Sequence, residues 1–369
     1  MFSQRQPVPR LPLVVALVAL VAVMTACGAM AAHGQEKGGI DLTGPYDAVP
    51  NWLKPVDKGR LLYPISVYAE SPDRVFIASV GTTPTPPPGV SYYGNFDPKM
   101  PAARVDRQLI VVNRNGEMIE DWSQWSRHFG QLHAVTMDPY DSEKHVWVVD
   151  RESQQVLKFS NDGKRLVRAW GVEGVAGTDE KHFGRPADIA WAPDGSFYVA
   201  DGYQNNRVVK FAKDGSYLFA WGTEGSAPGQ FRRPHGIAVD RQGRVYVVDR
   251  NNRRIQLFDP QGRFIEEWPG FSSPTRVWVT DDQFVWVSES GTSAGGGANR
   301  LLKYSRDGTL LTYFGTQGTV TPGMMAGPHG MSVDSAGNLY LANGLDQRVD
   351  KYVPKTNADR SRLVGPLSK

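Results

Sequence analysis

Cysteine is almost missing from this chain: Cys27 is the only one among 369 residues. No disulfide pair can staple the fold, so packed apolar surface has to hold it. Helical periodicity is nearly absent, which excludes a helical bundle. An excess of one charge is lacking too. Lysine plus arginine number 41 against 38 aspartate plus glutamate. A balance this even argues against a nucleic-acid partner, which needs a clustered basic surface. Only one apolar run is long, Leu11 to Ala26. It is short for a bilayer span, follows Arg5 and Arg10, and has the layout of a bacterial-type signal peptide over residues 1–27. Met24-Thr25-Ala26-Cys27 approximates a lipoprotein cleavage box, so membrane contact is expected only through a lipid anchor at Cys27. A plain signal-peptidase cut near Ala29-Met30-Ala31 is the alternative. The expected location is periplasmic, anchored or free, or else secreted.

Glycine (39) and proline (26) are abundant, as many tight turns require. They punctuate an internal repeat. One copy reads Pro234-His235-Gly236-Ile237-Ala238-Val239-Asp240, then Val245-Tyr246-Val247-Val248-Asp249-Arg250, then Arg254-Ile255-Gln256-Leu257-Phe258, a Gln261-Gly262 turn, and a run from Arg263 to Trp268. Each run is β-branched or aromatic and bounded by Gly, Asp or Asn, the mark of a strand. Four antiparallel strands in roughly 40–50 residues make a propeller blade. Six copies are present, with first strands opening at Pro64, Leu132, Pro186, Pro234, Pro274 and Pro328. Hairpin signals recur at Asn115-Gly116, Asp162-Gly163, Asp214-Gly215 and Asp307-Gly308. Trp122, Trp170, Trp221 and Trp268 end fourth strands and are expected to pack on the neighbouring blade. The fold class predicted is all-β, a six-bladed β-propeller over residues 61–354. A linker (28–60) precedes it and a tail (355–369) follows. The last copy lacks an outer strand. Either Leu363-Val364 or the stretch near Trp52-Leu53 completes it, removing an exposed edge.

Three histidines share one register of the repeat, in every second copy: His133, His235 and His329. First strands line the central channel, and alternate blades of six stand about 120° apart. The three imidazoles are therefore expected to converge on the axis and hold a metal with one side open, as a catalytic zinc site requires. Zinc is the first expectation; iron, copper and nickel also accept imidazole.

The second strand runs back beside the first, so the loop after it lies at the histidine rim. Those loops carry Arg151, Tyr203 and Arg250. A phenol near a metal can act as acid or base, and guanidinium groups can clamp a carboxylate. Asp188, one residue beyond the histidine register, reads as a strand-end cap. Two long loops, Gly81 to Asp106 with Tyr92 and Tyr93, and Ser290 to Asn299, emerge on the same face.

These residues carry a resemblance. Phe183-Gly184-Arg185-Pro186-Ala187-Asp188, Asp201-Gly202-Tyr203-Gln204-Asn205-Asn206-Arg207, Pro234-His235 and Asp249-Arg250-Asn251-Asn252-Arg253-Arg254-Ile255-Gln256 are of the NHL repeat type. More specifically, they resemble the peptidyl-α-hydroxyglycine α-amidating lyases. The resemblance implies a zinc ion on His133, His235 and His329, an active-site tyrosine at Tyr203 and an active-site arginine at Arg250. It implies a small-molecule or peptide substrate, cleaved from a C-terminal α-hydroxyglycine to an amide and glyoxylate. There are departures. Gly330 replaces an acidic residue used for a structural calcium, and Gly327 replaces a methionine. The family's second arginine has only Lys99 and Arg104 as loose matches, with Arg151 as a substitute. The family's disulfide cysteines are replaced in pairs, by Gly184 with Gln204 and by Tyr246 with Leu257. Two other readings compete: a metal-dependent hydrolase on the same scaffold, and a non-catalytic cell-envelope propeller that binds a protein or glycan partner.

Overall fold

A computed structural model describes residues 42–57, 60–84, 104–291, 298–317, 327–343 and 348–367. The leader with Cys27, Tyr92, Tyr93 and Lys99 lie outside the described residues. Among the described residues no helix is long and apolar enough to cross a membrane.

Six four-stranded sheets form, each from consecutive strands except the last. Their inner strands are Arg60–Ser71, Leu132–Met137, Asp188–Trp191, Pro234–Val239, Pro274–Val279 and Pro328–Val333. Blade one and its successors thus follow the copies read from the sequence. The core lies between the faces of adjacent blades. One cluster joins Phe76 and Leu109 of blade one to Val148 and Phe159 of blade two, with Trp122 between them.

Ring closure is made at blade six. Tyr46–Val49 pairs antiparallel with Arg348–Pro354, in register Tyr46↔Pro354 to Val49↔Lys351. Its outer strand therefore comes from the stretch read as a linker (28–60), a few residues upstream of Trp52, so the propeller begins earlier than residue 61. Trp52 then does for blade six what Trp221 does for blade three. A Cβ on Gly262, the hairpin glycine of blade four, would lie 2.8 Å from the Trp221 ring; one on Gly116, in blade one, would lie 1.9 Å from the Trp52 carbonyl oxygen. Both glycines also have φ near +76°, so close approach and backbone conformation demand the same residue. The tail adds no strand to this blade. It touches blades six and five instead: the Val364 amide donates to the Tyr46 hydroxyl at 2.8 Å and Leu367 bridges to Thr280.

Candidate metal centre

The inner strands are interrupted where the site is built. The pairing register shifts between Leu132 and Ala134, between Pro234 and Ile237, and between Pro328 and Gly330. Each interruption spans a histidine. A bulge of this kind re-aims one side chain out of the sheet's alternation, here into the channel. The same shift occurs at Ile65 in blade one and Thr275 in blade five.

The three rings meet. Their centroids are 4.8, 4.8 and 4.9 Å apart and their planes cross at 76° to 80°, a near three-fold arrangement. One nitrogen of each lies within 4.8 Å of those of the other two. His133 and His235 are 6% and 2% exposed. Each Nδ1 faces a main-chain carbonyl of the next blade round: His133 to Ala187 at 2.7 Å, His235 to Thr275 at 2.7 Å, His329 to Ile65 at 3.0 Å. A carbonyl only accepts, so each Nδ1 carries the proton and each Nε2 presents a lone pair. That is the orientation by which outer partners prepare imidazole for a metal. Burial, with nearby cationic groups, holds His133 and His235 well below the usual histidine range and His329 down to about 3. All three are neutral at pH 7, as ligands must be.

The rim loops are held by one repeated bond. The amide of Arg151 donates to the Gln131 carbonyl, that of Tyr203 to Arg185, and that of Arg250 to Arg233. The acid ending each second strand clasps the entry to the inner strand. Asp150 accepts from the amides of Gly130 and Gln131, Asp201 from Gly184, and Asp249 from Arg232. Side chains from different blades are thereby brought to one point. The Tyr203 hydroxyl lies 2.9 Å from His133 Nε2 and 3.1 Å from His235 Nε2, and Arg250 Nη1 lies 3.2 Å from His235 Nε2. Arg151 stands one step out, with its guanidinium 4.6 Å from the Tyr203 ring centre and its Nε on Glu152 at 3.2 Å. Arg104 is exposed, and its backbone is bridged to Thr82.

Three features were not read from the sequence. The first is the set of orienting carbonyls, which no side-chain pattern records. The second is Arg233, whose guanidinium lies 5.0 Å from the Tyr203 ring centre; its one sequence signal was that Arg185 holds the same place in blade three. The third is an ion pair in the channel. Asp188 is more than a strand-end cap. It is buried, accepts from Arg276 Nη1 at 2.8 Å and takes the Ile237 amide at 3.1 Å. Burial raises its pKa against the pull of Arg276.

Arg276 and Asp188 line the same cavity as the three histidines. The donor set of three neutral imidazoles fits a transition metal. The residues do not fit a structural calcium as well. A Cβ at Gly330 would lie 2.7 Å from Ser66 Cα and 2.9 Å from the Ile65 oxygen, so an acidic side chain there would displace blade one. A guanidinium in the cavity also repels a second cation.

Fold and site together define an NHL-repeat β-propeller with a three-histidine centre. The NHL repeat model matches residues 183–211 and 231–258. More particularly, the chain is similar to the peptide-amidating enzymes. It is 37% identical over 266 residues to peptidyl-glycine alpha-amidating monooxygenase B of Xenopus laevis, covering 69% of this chain and 29% of that protein. It is 31% identical over 156 residues to a probable peptidyl-alpha-hydroxyglycine alpha-amidating lyase of Caenorhabditis elegans, covering 42% of this chain and 43% of that one. The matches thus span less than half the length of either relative. A streptogramin B lyase structure superposes with a TM-score of 0.52 at 14% identity, covering 84% of this chain and 98% of that one, a likeness of fold alone.

Proposed function

We propose that this chain is a metal-dependent carbon–nitrogen lyase of the amidating type, which splits a carbinolamide into an amide and glyoxylate. The observation that carries this reading is the position of the Tyr203 hydroxyl, within 3.1 Å of two histidine Nε2 atoms and beside Arg250. His133, His235 and His329 would hold the metal, most simply zinc, which when bound supplies a Lewis acid for the substrate hydroxyl. Tyr203 is the proton carrier. Its oxygen takes the proton of the substrate hydroxyl as the C–N bond breaks, and returns it to the departing amide nitrogen. The hydroxyl-bearing carbon becomes the aldehyde of glyoxylate, so atoms and charge balance without an oxidant. Arg250, half-buried and without a carboxylate partner among the described residues, pairs with the substrate carboxylate. The chain would work as an exported protein, held at the envelope or released from it.

The deciding experiment incubates purified protein with a synthetic peptide ending in α-hydroxyglycine and measures glyoxylate alongside bound metal. Glyoxylate with about one metal per chain is expected. Metal without glyoxylate points instead to a different metal-dependent enzyme such as a hydrolase. Neither metal nor glyoxylate leaves an envelope binding propeller.

A further inference from the structure

The rim of the metal centre carries more positive charge than one carboxylate needs. Arg250 alone can clamp the glyoxylate end of a substrate. Two further guanidinium groups converge on the same phenol, Arg151 at 4.6 Å and Arg233 at 5.0 Å from the Tyr203 ring centre. Arg185 and Arg233 make an instructive pair. They precede the inner-strand proline in successive blades, with φ of 59° and 63°. Their amides are held alike, by Gln154 Oε1 at 2.5 Å and Asn206 Oδ1 at 2.8 Å. Their charges are treated differently. Glu152 binds Arg185 at 2.8 Å and also Arg151 at 3.2 Å. No carboxylate pairs with Arg233 or Arg250 among the described residues. Four guanidinium groups thus share one carboxylate around a half-buried mouth. Unpaired guanidinium in such a place is costly to keep and is the preferred partner of a carboxylate fork.

We propose that Arg233, assisted by Arg151, forms a second anion subsite beside the Arg250 clamp, and that the substrate carries a second carboxylate on its amide side. The substrate class is then an acidic carbinolamide rather than a neutral one. This rests on the lyase reading for which bond is cut, but not for how the anion is held. Arg233 is fixed for the task. Its carbonyl accepts the Arg250 amide at 3.2 Å, which ties the two backbones together, and its guanidinium rests on the Tyr203 ring.

Calorimetric titration with two unreactive ligands of equal length tests this. N-succinylglycine has two carboxylates and N-butyrylglycine has one. On metal-loaded protein the dicarboxylate is expected to bind about tenfold tighter. Arg233→Asn, chosen because asparagine tolerates positive φ, is expected to erase that preference while metal content and circular dichroism stay unchanged. Arg233→Lys should keep part of it. Equal binding of the two ligands by the unaltered protein, or a preference that survives in a folded Arg233→Asn, overturns the subsite. Glyoxylate assays separate the two ideas. Normal glyoxylate release with equal ligand binding removes the subsite alone. A tenfold preference lost in Arg233→Asn, in a protein that releases no glyoxylate, upholds the subsite and removes only the lyase.

Discussion

Blades two, four and six share a strand plan with blades one, three and five, yet the two sets contribute opposite chemistry at one register. The even blades place His133, His235 and His329 in the channel. At the matching place the odd blades have Ile65, Ala187 and Thr275, whose carbonyls face the imidazoles. One residue further on, two odd blades accept again, now from the even blade that follows them. Ser66 Oγ accepts the Val135 amide at 3.2 Å, and Asp188 accepts that of Ile237. These are amides that lie just past the bulges of blades two and four. Donors thus pass from each even blade to the following odd one, and from blades two and four to the preceding odd one as well. The lesson is that one backbone irregularity, present in five of the six blades, aims an imidazole into the channel in the even blades and leaves a carbonyl to orient it in blades one and five.

The comparison predicts effects of different kind and size. The largest should come from the even set. His235→Ala is expected to abolish metal binding and turnover together, checked by elemental analysis of the purified variant; full metal content would break the assignment of ligands to even blades. Next comes an odd-blade residue that reaches over the centre. Tyr203→Phe should lower glyoxylate release about 10²–10⁴-fold and leave metal content intact, whereas unchanged turnover would remove it from proton transfer. The odd-blade ion pair should matter for folding. Arg276→Met strands Asp188 as a buried charge and is expected to cost about 3–5 kcal/mol by urea unfolding. Asp188→Ala combined with Arg276→Met should recover much of that; an equally unstable double variant would mean that the pair is not the source. The smallest effect belongs to a lone acceptor. Ser66→Ala takes away one bond to the Val135 amide and should cost about 1 kcal/mol with metal content unchanged.

Much of this was legible beforehand for a specific reason. Asn115-Gly116 and Asp162-Gly163 are local signals, because hairpin turns need residues that tolerate positive φ. His133, His235 and His329 could be assigned to one point because exact repetition converts a register in sequence into an angle in space. Tyr203, Arg250 and Arg151 were placed at the rim by the antiparallel return of the second strand, and a family resemblance added roles for the first two; Arg151 lies on Tyr203 rather than on the histidines. Other parts were not legible. Asp188 and Arg276 are 88 residues apart and meet only across the channel. Arg233 looks no different from Arg185 until Glu152 is seen to neutralise one and not the other. The partner of the last blade could be narrowed to two ends, yet the strand used is Tyr46–Val49, earlier than Trp52 itself.

What the sequence determined by itself was everything periodic: strand length, turn chemistry, six copies, and histidine in alternate ones. These depend on interactions between residues close in the chain, which composition and spacing record directly. The tertiary structure decided the rest, namely which chain end closes the ring, which imidazole nitrogen keeps its proton, and which guanidinium is left without a counter-charge. Each of these is settled by a group from another blade, brought near by closure of the ring, and closure is a property of all six sheets at once.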